Sequence, residues 1–292
     1  MLSIICNPIA GGVNGVHMSK CIEKVKEKLN SIGVKFKFYM TEFKKHAEQL
    51  VKKAIDEGAT DVVVMGGDGT LNEVLNGFKD FDKVNLGLIP CGTGNDFATA
   101  ANIPEDIDKA IDIIVNGTPK YTDYMQFASG IRGFNIVGEG MDVDILKRYE
   151  GLKKKSKVGY TKCLVYQLFH ITPHDYKVTI DDKEYIFNKT VIADIANGTD
   201  YGGGIPICPV AKIDDGLLEF ISIENIPLLK LIKVFLKLKK GKILEQDCTT
   251  RISGKKIKVE CLDKVTVNVD GELYDDLDLD VEVVSGKLKM YR

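Results

Sequence analysis

Three glycines and one aspartate stand together in the segment Gly66-Gly67-Asp68-Gly69-Thr70. The apolar run before it predicts a buried parallel strand, and apolar residues at helical spacing after it predict a helix. Glycines at such a junction let backbone N–H groups surround an anion at the helix N-terminus. A carboxylate there would repel a phosphate unless a divalent cation lay between them or the carboxylate handled a proton. The combination therefore indicates a Mg-nucleotide site in a phosphotransferase.

A second glycine-rich turn, Gly92-Thr93-Gly94-Asn95-Asp96, follows the next predicted strand. A single such turn is most simply a tight connection, but two acid-bearing turns at strand ends lie where open parallel sheets bind ligands. Neither turn has the Gly-Lys-Ser/Thr of the Walker pattern. The dinucleotide fingerprint also fails, because Asn72 stands where its third glycine belongs. The pair predicts a phosphate site of another kind.

Two acidic turns in the second half could also carry chemistry. Asp270-Gly271-Glu272 follows a strand of alternating valines, and phosphoryl transfer to a hydroxyl needs a carboxylate that accepts the proton. Asp214-Asp215 stands in a turn from Lys212 to Leu217. That turn could hold a hard cation such as Mg²⁺ through oxygen ligands, or it could be a solvated turn. The pattern leaves both readings open.

The elements that must position these residues follow two different patterns. Up to about Tyr121 strands alternate with helices, which predicts a parallel sheet with right-handed crossovers. Beyond Asp123 the pattern changes to strand pairs, with hairpin turns at Ser129-Gly130 and Asp181-Asp182 and helices near 158–170 and 227–240. We predict an α/β fold, with an N-terminal nucleotide domain over 1–122, an antiparallel domain over 123–285, and the active cleft between them.

Composition excludes several classes of protein. The net charge of −2 gives no overall attraction to nucleic acid. No apolar run approaches the roughly 18 residues that cross a bilayer, and the first residues predict a strand rather than a signal peptide. Seven scattered cysteines without a CxxC pair indicate reduced thiols and a cytoplasmic protein. The four histidines show no metal-ligand spacing, and a solvated loop is predicted around His170 and His174.

Basic residues cluster in two places. Six surround Glu150 in a predicted loop: Lys147, Arg148, Lys153, Lys154, Lys155 and Lys157. Three more line one face of the predicted helix near 227–240, whose other face holds Leu229, Ile232 and Leu236: these are Lys230, Lys233 and Lys237. Either cluster is a solvated surface or a peripheral contact with an anionic membrane, since each basic residue near such a leaflet contributes about 1 kcal/mol.

Four motifs in this order resemble the diacylglycerol kinase catalytic family, whose relatives include sphingosine and ceramide kinases. They are Gly66 to Thr70 with Asn72-Glu73, Gly92 to Phe97, Gly202-Gly203-Gly204, and Asp270-Gly271-Glu272. The first motif alone is shared with NAD kinases and loosely with phosphofructokinases, whereas the four together are specific. The resemblance implies an NAD kinase-like nucleotide domain and a β-sandwich lipid-substrate domain. It also implies that the tail 286–292 packs back on the first domain.

The resemblance further implies ATP- and Mg²⁺-dependent phosphorylation, with roles for individual residues. The implied ATP-binding residues are Asn7, Thr41, Gly66, Gly67, Asp68, Gly69, Thr70, Leu71, Asn72 and Thr93. Asp68 would join a Mg²⁺ network near Asp96 and Asp123, while Glu272 would accept the proton beside Asp270. The Lys212 carbonyl, Asp215 and the Leu217 carbonyl would hold a structural Mg²⁺.

Two positions depart from the family pattern. The segment Gly12 to Gly15 lacks the usual cation, for which Lys20 could substitute, and Thr99 stands where an arginine is common. Either departure would weaken nucleotide binding without removing the acids.

The implied reaction is phosphorylation of a lipid hydroxyl at a membrane surface, most simply diacylglycerol giving phosphatidic acid. Phosphatidylglycerol, a sphingoid or a soluble acceptor such as NAD is the alternative substrate. A non-catalytic lipid or nucleotide sensor is the alternative class, and a homodimer is left open.

Overall fold

The structure is a computed structural model that describes residues 1–11, 16–79, 81, 83–152, 156–261, 263 and 266–292. Among these residues, no helix is both long enough and apolar enough to cross a membrane. The chain divides into two compact units. Unit 1 comprises Met1–Asp123 with Ser285–Arg292, and unit 2 comprises Tyr124–Val284. The segment Gly12 to Gly15, with its missing cation, lies outside the described residues.

Unit 1 alternates strands and helices around a parallel sheet. Its elements are β1 (Leu2–Cys6), α1 (Val16–Ser31), β2 (Phe36–Met40), α2 (His46–Asp56), β3 (Asp61–Gly66), α3 (Asp68–Gly77), β4 (Asn85–Pro90), α4 (Asp96–Ala100) and α5 (Ile107–Asn116). The strands lie in the order β2-β1-β3-β4, and every pair is parallel. The interiors of β1, β3 and β4 are fully buried, as expected for a parallel sheet covered on both faces, whereas the edge strand β2 is partly exposed.

Helical spacing in the sequence decides which faces cover this sheet. The helix α2 buries Ala47, Leu50, Val51 and Ala54, which recur at i, i+3, i+4 and i+7. Close packing then fixes α3 against α2, because a Cβ on Gly77 would lie only 2.3 Å from Val51 Cγ1. This contact holds the C-terminal end of α3 against α2.

Unit 2 is built mainly from antiparallel strands. Its elements are β5 (Lys120–Phe127, beginning in unit 1), β6 (Arg132–Gly133), β7 (Ile136–Gly140), α6 (Met141–Glu150), α7 (Lys157–Gln167), β8 (His174–Ile180), β9 (Lys183–Ala196), β10 (Leu218–Glu224), α8 (Leu228–Leu238), a 3-10 turn (Ile243–Glu245), β11 (Thr249–Gly254), β12 (Lys256–Cys261), β13 (Val267–Val269), β14 (Glu272–Tyr274) and β15 (Leu279–Met290). The strand order is β14-β13-β7-β9-β8-β12-β15, and β10 pairs with β9 and β11. The last residues of β15 belong to unit 1, where Lys289 and Met290 pair in parallel with β4.

Two hydrophobic cores hold unit 2 together. One lies between strands and contains Tyr176, Phe220 and the valines of β13. The other joins the sheet to the three helices, with Ile145 of α6, Leu164 of α7 and Leu231 of α8 among its members. Each helix therefore buries an inner face on the sheet.

The predicted fold class is confirmed, with an N-terminal parallel sheet and a C-terminal antiparallel domain. The predicted hairpin turn at Asp181-Asp182 is also confirmed, because both residues have a positive φ between β8 and β9. The predicted loop around Lys147 and Arg148 is wrong, because both residues belong to α6. The rest of that basic cluster is Lys157, which starts α7, and Lys153 to Lys155, which lie outside the described residues.

Candidate functional site

The carboxyl ends of the unit 1 strands bring the predicted nucleotide segments to one edge of the sheet. The N–H of Asn7, after β1, donates to the Met65 carbonyl at 3.1 Å. The N–H of Cys91, after β4, donates to the Gly66 carbonyl at 2.8 Å. Thr41 follows β2 and is buried, and its N–H donates to the Cys6 carbonyl. Residues that are far apart in the sequence thus lie at one edge of the sheet.

The two glycine-rich turns touch backbone to backbone. A Cβ placed on Gly67 would lie 2.9 Å from Gly92 Cα, and one placed on Gly92 would lie 2.5 Å from Gly67 Cα. Such separations are shorter than a real Cβ contact. Asn95 closes the second turn with a left-handed backbone, and its Oδ1 accepts from the Gly92 N–H at 2.9 Å. Glycine is needed at both positions for this approach.

The half-buried Asp68 carboxylate joins the two turns. Its Oδ1 accepts from the N–H of Phe97 at 3.1 Å, and its Oδ2 accepts from the N–H of Asp96 at 3.2 Å. Burial raises the pKa of Asp68 above its ordinary value, although these backbone donors act in the opposite direction. The carboxylate is therefore held in one orientation at the start of α4.

Two acids converge at Gly94. A Cβ on that glycine would lie 3.1 Å from an oxygen of Asp68 and 3.1 Å from an oxygen of Asp96. Two carboxylates in one turn are oxygen ligands of the kind that Mg²⁺ prefers. Asp123, the third acid of the expected network, ends the first segment of unit 1 and is buried on β5.

Side chains around this edge separate into those that can meet a ligand and those that support the turns. Asn7 is half-buried and donates to Thr70 Oγ1 at 3.2 Å, while Gly69 and Thr93 are exposed. Thr70 packs against the end of β3, because a Cβ on Gly66 would lie 2.8 Å from its Oγ1. Asn7, Gly69 and Thr93, together with the half-buried Gly67 and Asp68, are therefore the groups of the predicted set that are open to a nucleotide.

Three residues of the first motif serve the fold. The Leu71 side chain is buried in the core, and its N–H donates to the Gly67 carbonyl, so the structure gives it a packing role. Asn72 is buried, and both its carbonyl and its Oδ1 accept from Asn76. The carboxylate of Glu73 accepts from the N–H groups of Lys45 and Ala47 and so caps the N-terminus of α2.

Two described residues bear on the departures from the family pattern, Thr99 and Lys20. Thr99 is exposed on α4, where its Oγ1 donates to the Asn95 carbonyl at 3.4 Å. Lys20 is exposed on α1. Thr99 thus carries a local helix contact in place of a cation.

In unit 2 the Asp270 carboxylate organises the start of β7. It accepts from the backbone N–H groups of Phe134 at 2.6 Å, Asn135 at 2.9 Å and Ile136 at 3.1 Å. Asp270 itself has φ 50°, and its own N–H donates back to the Ile136 carbonyl. Glu272 is half-buried and begins β14 directly after this turn. The structure thus gives Asp270 a positioning role and leaves Glu272 at the mouth of the turn.

Asn268 links the same turn to an acid that the sequence reasoning missed. Its Oδ1 accepts from the Gly271 N–H at 2.9 Å, and its Nδ2 donates to the buried Asp142 at 3.0 Å. Burial raises the pKa of Asp142 to about 6. Burial, together with the Asp142 charge, raises the pKa of Glu139 to about 8.

Asp194 is a third buried acid, and burial raises its pKa well above the ordinary value. It faces Gly138, where a Cβ would lie 2.0 Å from Asp194 Oδ1. The only sequence signal for this cluster is the pair of glycines that flank Glu139 in Gly138-Glu139-Gly140.

The turn before β10 presents oxygen atoms to solvent. Asp215 is exposed, and its Oδ1 accepts from the Leu217 N–H at 3.1 Å. Gly216 has φ 72°, which bends the backbone sharply between these two residues. Lys212 is exposed at the start of the same turn. An exposed carboxylate with neighbouring carbonyls is a donor set for a hard cation.

The glycine triplet Gly202 to Gly204 forms a tight loop, in which Tyr201 and Ile205 make an isolated β-bridge. All three glycines have a positive φ, and Gly202 packs against the Tyr160 ring. The residue before this loop, Asp200, accepts at its carbonyl from Asn135 Nδ2 at 2.6 Å. The loop and the Asp270 turn are therefore tied to the same residue.

His174 has partners that its sequence spacing did not indicate. Its Nδ1 lies 3.0 Å from Asp263 Oδ2, and Cys261 brings its sulfur to the same place. One ligand atom from each residue lies within 4.8 Å of the others. Strand pairing between β8 and β12 creates this group, and no local motif could reveal it.

Comparisons with known proteins agree with the geometry. Residues 1–127 match the family described as "Diacylglycerol kinase catalytic domain", and residues 135–292 match the "YegS C-terminal NAD kinase beta sandwich-like domain". A diacylglycerol kinase of Mycobacterium tuberculosis is 30% identical over 252 residues, which cover 84% of this chain and 81% of that protein.

Solved structures show the same fold at lower identity. The crystal structure of a diacylglycerol kinase from Bacillus anthracis superposes with a TM-score of 0.77 and 22% identity, covering 99% of this chain and 96% of that one. An NAD kinase from Archaeoglobus fulgidus, solved in complex with ATP, has a TM-score of 0.54 and 13% identity, covering 100% and 94%.

Proposed function

The chain belongs to the diacylglycerol kinase family of lipid kinases, and we propose that it transfers the γ-phosphoryl group of ATP to the hydroxyl of diacylglycerol. The observation that carries this proposal is the Asp68 carboxylate, which is oriented between two glycine-rich turns at the strand ends of unit 1. The names of the relatives favour diacylglycerol over phosphatidylglycerol, a sphingoid or NAD as the acceptor.

Backbone and side-chain donors at the unit 1 edge would bind the nucleotide. The exposed Gly69 and Thr93 and the half-buried Asn7 surround the strand ends, and the N-terminus of α3 adds N–H groups that favour an anion. The NAD kinase from Archaeoglobus fulgidus, which shares this fold, was solved in complex with ATP, and this supports ATP as the phosphoryl donor.

The residues present fit Mg²⁺ at this edge. The Asp68 and Asp96 oxygens at Gly94 would hold the ion, and the ion would neutralise charge that develops on the transferred phosphoryl group. Burial raises the pKa of Asp68 and so disfavours its ionised form, whereas a bound cation would favour that form. The Lys212 and Leu217 carbonyls with Asp215 would hold a second, structural Mg²⁺.

The proton of the acceptor hydroxyl would pass to Glu272. Asp270 holds the preceding turn through three backbone N–H groups, so it would act as a positioning residue for Glu272. A positioned general base contributes roughly 100- to 10,000-fold to the rate. Replacement of the Glu272 carboxylate by an amide should slow phosphoryl transfer by a comparable factor.

The test measures transfer of labelled phosphate from ATP to diacylglycerol dispersed in detergent micelles. Asp68→Asn and Glu272→Gln should each abolish most transfer while the protein stays folded, which a cooperative urea unfolding transition verifies. The exposed Glu282→Gln on β15 is the matched control for Glu272→Gln.

Wild-type turnover in Asp68→Asn or Glu272→Gln would refute the role of that residue. If a total lipid extract gives label in another lipid and none in phosphatidic acid, the acceptor is that other lipid. The proposal of kinase activity would then stand. ATP binding without any labelled product would favour a non-catalytic sensor.

A further inference from the structure

The helix α8 carries apolar residues on two opposite faces. Its inner face, Leu231, Val234, Phe235 and Leu238, is buried in the core of unit 2. Its outer face nevertheless exposes Leu229 and Leu236, whose exposed fractions are 79% and 56%. These two leucines are seven residues apart and therefore lie on one stripe of the helix. The hydrophobic core uses only the inner face, so Leu229 and Leu236 are left exposed to water.

The helix α7 repeats this arrangement. It buries Cys163 and Leu164 in the same core as α8. On its outer side it exposes Val158 at 66%, Val165 at 43%, and Phe169, just after its last turn, at 59%. These residues recur at i, i+7 and i+11, which again describes one helical stripe. Two separate segments of unit 2 therefore expose apolar stripes.

Both segments are basic and contain no acid. Between Glu224 and Glu245 the chain has six lysines and neither Asp nor Glu, and between Glu150 and Asp175 it has five lysines and no acid. On α8 the exposed Lys230, Lys233 and Lys237 lie beside the apolar stripe. A protein whose net charge is −2 thus concentrates lysines in the two sequence segments that carry these exposed apolar residues.

A cavity of about 680 Å³ opens beside α7 and adds cationic groups to this side. Lys147 and Arg148 of α6 contribute to its lining, and the Arg148 guanidinium lies 3.4 Å from the centre of the Tyr166 ring. The acid in the lining, Asp144, accepts from Gln167 Nε2 at 2.9 Å. The cavity is large enough for a phospholipid headgroup.

We propose that the outer stripes of α7 and α8 dock unit 2 on an anionic lipid bilayer. Apolar side chains would enter the boundary between headgroups and acyl chains, and the lysines would bind the headgroup phosphates. A polar protein surface would leave the leucines without apolar partners, and an acidic protein partner would not require the two apolar stripes. The inference rests on the proposed lipid kinase function at one point only: docking would bring the enzyme to its lipid acceptor.

Vesicle flotation tests this docking surface with the full chain. The vesicles contain phosphatidylcholine alone or phosphatidylcholine mixed with phosphatidylglycerol. The variants are Leu229→Ser/Leu236→Ser on α8 and Val165→Ser/Phe169→Ser on α7. Ile186→Ser on β9 is the matched control, because Ile186 is exposed to 65% but lies outside both helices. Urea unfolding of each variant verifies that it folds.

The wild type should float with the anionic vesicles only, and raising the salt concentration should weaken its binding. Each double variant should bind at least about tenfold more weakly, because each loses the burial of two large apolar side chains. Ile186→Ser should bind as the wild type does. Replacing Lys230, Lys233 and Lys237 together by Gln should weaken binding to anionic vesicles without affecting the fold.

Equal flotation of the wild type with both kinds of vesicle would overturn the role of charge. Wild-type binding by both double variants would overturn the whole proposal. So would a change from dimer to monomer in a double variant whose vesicle binding is unchanged, because the stripes would then join two copies of the chain.

A kinase assay separates this proposal from the proposed function. With diacylglycerol in detergent micelles, the double variants should retain wild-type turnover, whereas with diacylglycerol in anionic vesicles they should be slower by the same factor as their loss of binding. Intact vesicle binding without phosphorylation of any lipid would refute the kinase and leave the docking surface. Equal turnover of wild type and variants on vesicles would refute docking and leave the kinase.

Discussion

Individual carboxylates in this chain have contrasting surroundings, and the contrast separates their roles. Asp270 accepts from three backbone N–H groups and Asp68 from two, so each is held in a fixed orientation. Asp194 is fully buried, and neither of its oxygens has a hydrogen-bond donor in the described part of the protein. Glu139 is buried close to Asp142. A buried acid without donors is stable only in its neutral form.

The raised pKa of Glu139 predicts a pH-dependent stability that Glu139→Gln should largely remove. The folded-state pKa of Glu139 is raised from 4.5 to about 8, so the folded protein keeps a proton that the unfolded chain releases. The free energy of unfolding should therefore fall as pH rises from about 4.5 to about 8, by at most about 1.4 kcal/mol per pH unit. Glutamine cannot ionise, so the variant should lose much of this slope.

Urea unfolding across that pH range measures the effect, with the exposed Glu282→Gln as the control that should follow the wild type. The residual slope in Glu139→Gln should reflect Asp142, whose pKa is raised to about 6, and Asp194, whose pKa is also raised by burial. Parallel wild-type and Glu139→Gln curves would show that the carboxyl is not neutral in the folded protein.

At the scale of elements, the sequence predicted the strand-turn-helix units of unit 1 because the apolar residues of each strand or helix follow one regular pattern. Val62 to Val64 are continuously apolar, and α2 repeats its buried residues at helical spacing. The helix α6 was missed because Asp142 is buried among Met141, Val143 and Ile145 and so breaks the apolar pattern. Pairing between distant strands was equally hidden, so the meeting of His174 with Cys261 could not be predicted.

The contact between the two glycine-rich turns leads to a prediction about Gly92→Ala. The new Cβ would lie 2.5 Å from the Cα of Gly67, and backbone cannot move aside as a flexible side chain can. We expect the free energy of unfolding to fall by about 1–3 kcal/mol, as for an overpacked site. Nucleotide binding should weaken as well, because the displaced turn carries the donors to Asp68.

Gly69→Ala is the matched control, since a Cβ on Gly69 meets no atom within 4 Å and Gly69 lies in the first turn of α3. Its unfolding free energy should equal or exceed that of the wild type, by up to about 1 kcal/mol. Equal stability of the Gly92→Ala and Gly69→Ala proteins would contradict close packing of the two turns.

At the scale of the whole molecule, unit 1 is completed by residues from the far end of the sequence. The Tyr291 N–H donates to the Leu86 carbonyl, and the Tyr291 hydroxyl donates to Asp61 Oδ1 at 2.6 Å. Arg292 donates to Thr122 and to the Tyr121 carbonyl. No local pattern in 285–292 indicates these contacts, and only the family resemblance suggested that the tail packs on the first domain.

Tyr291→Phe tests the contribution of this tail. Burial raises the pKa of Asp61, but hydrogen bonds from Asn85, Tyr291 and Thr60 outweigh it, and the net pKa lies below 3.8. Such a group stabilises the folded state above pH 3.8 and loses this contribution as pH falls through the folded-state pKa.

Tyr291→Phe should lower the unfolding free energy at neutral pH by about 1–2 kcal/mol. The difference from wild type should shrink on acidification, because a protonated Asp61 accepts a weaker hydrogen bond. Tyr121→Phe, in which an exposed ring keeps its contact with Lys289, is the control and should match the wild type. A deficit in Tyr291→Phe that stays constant down to acid pH would show that the contribution of the Tyr291 hydroxyl does not depend on an ionised Asp61.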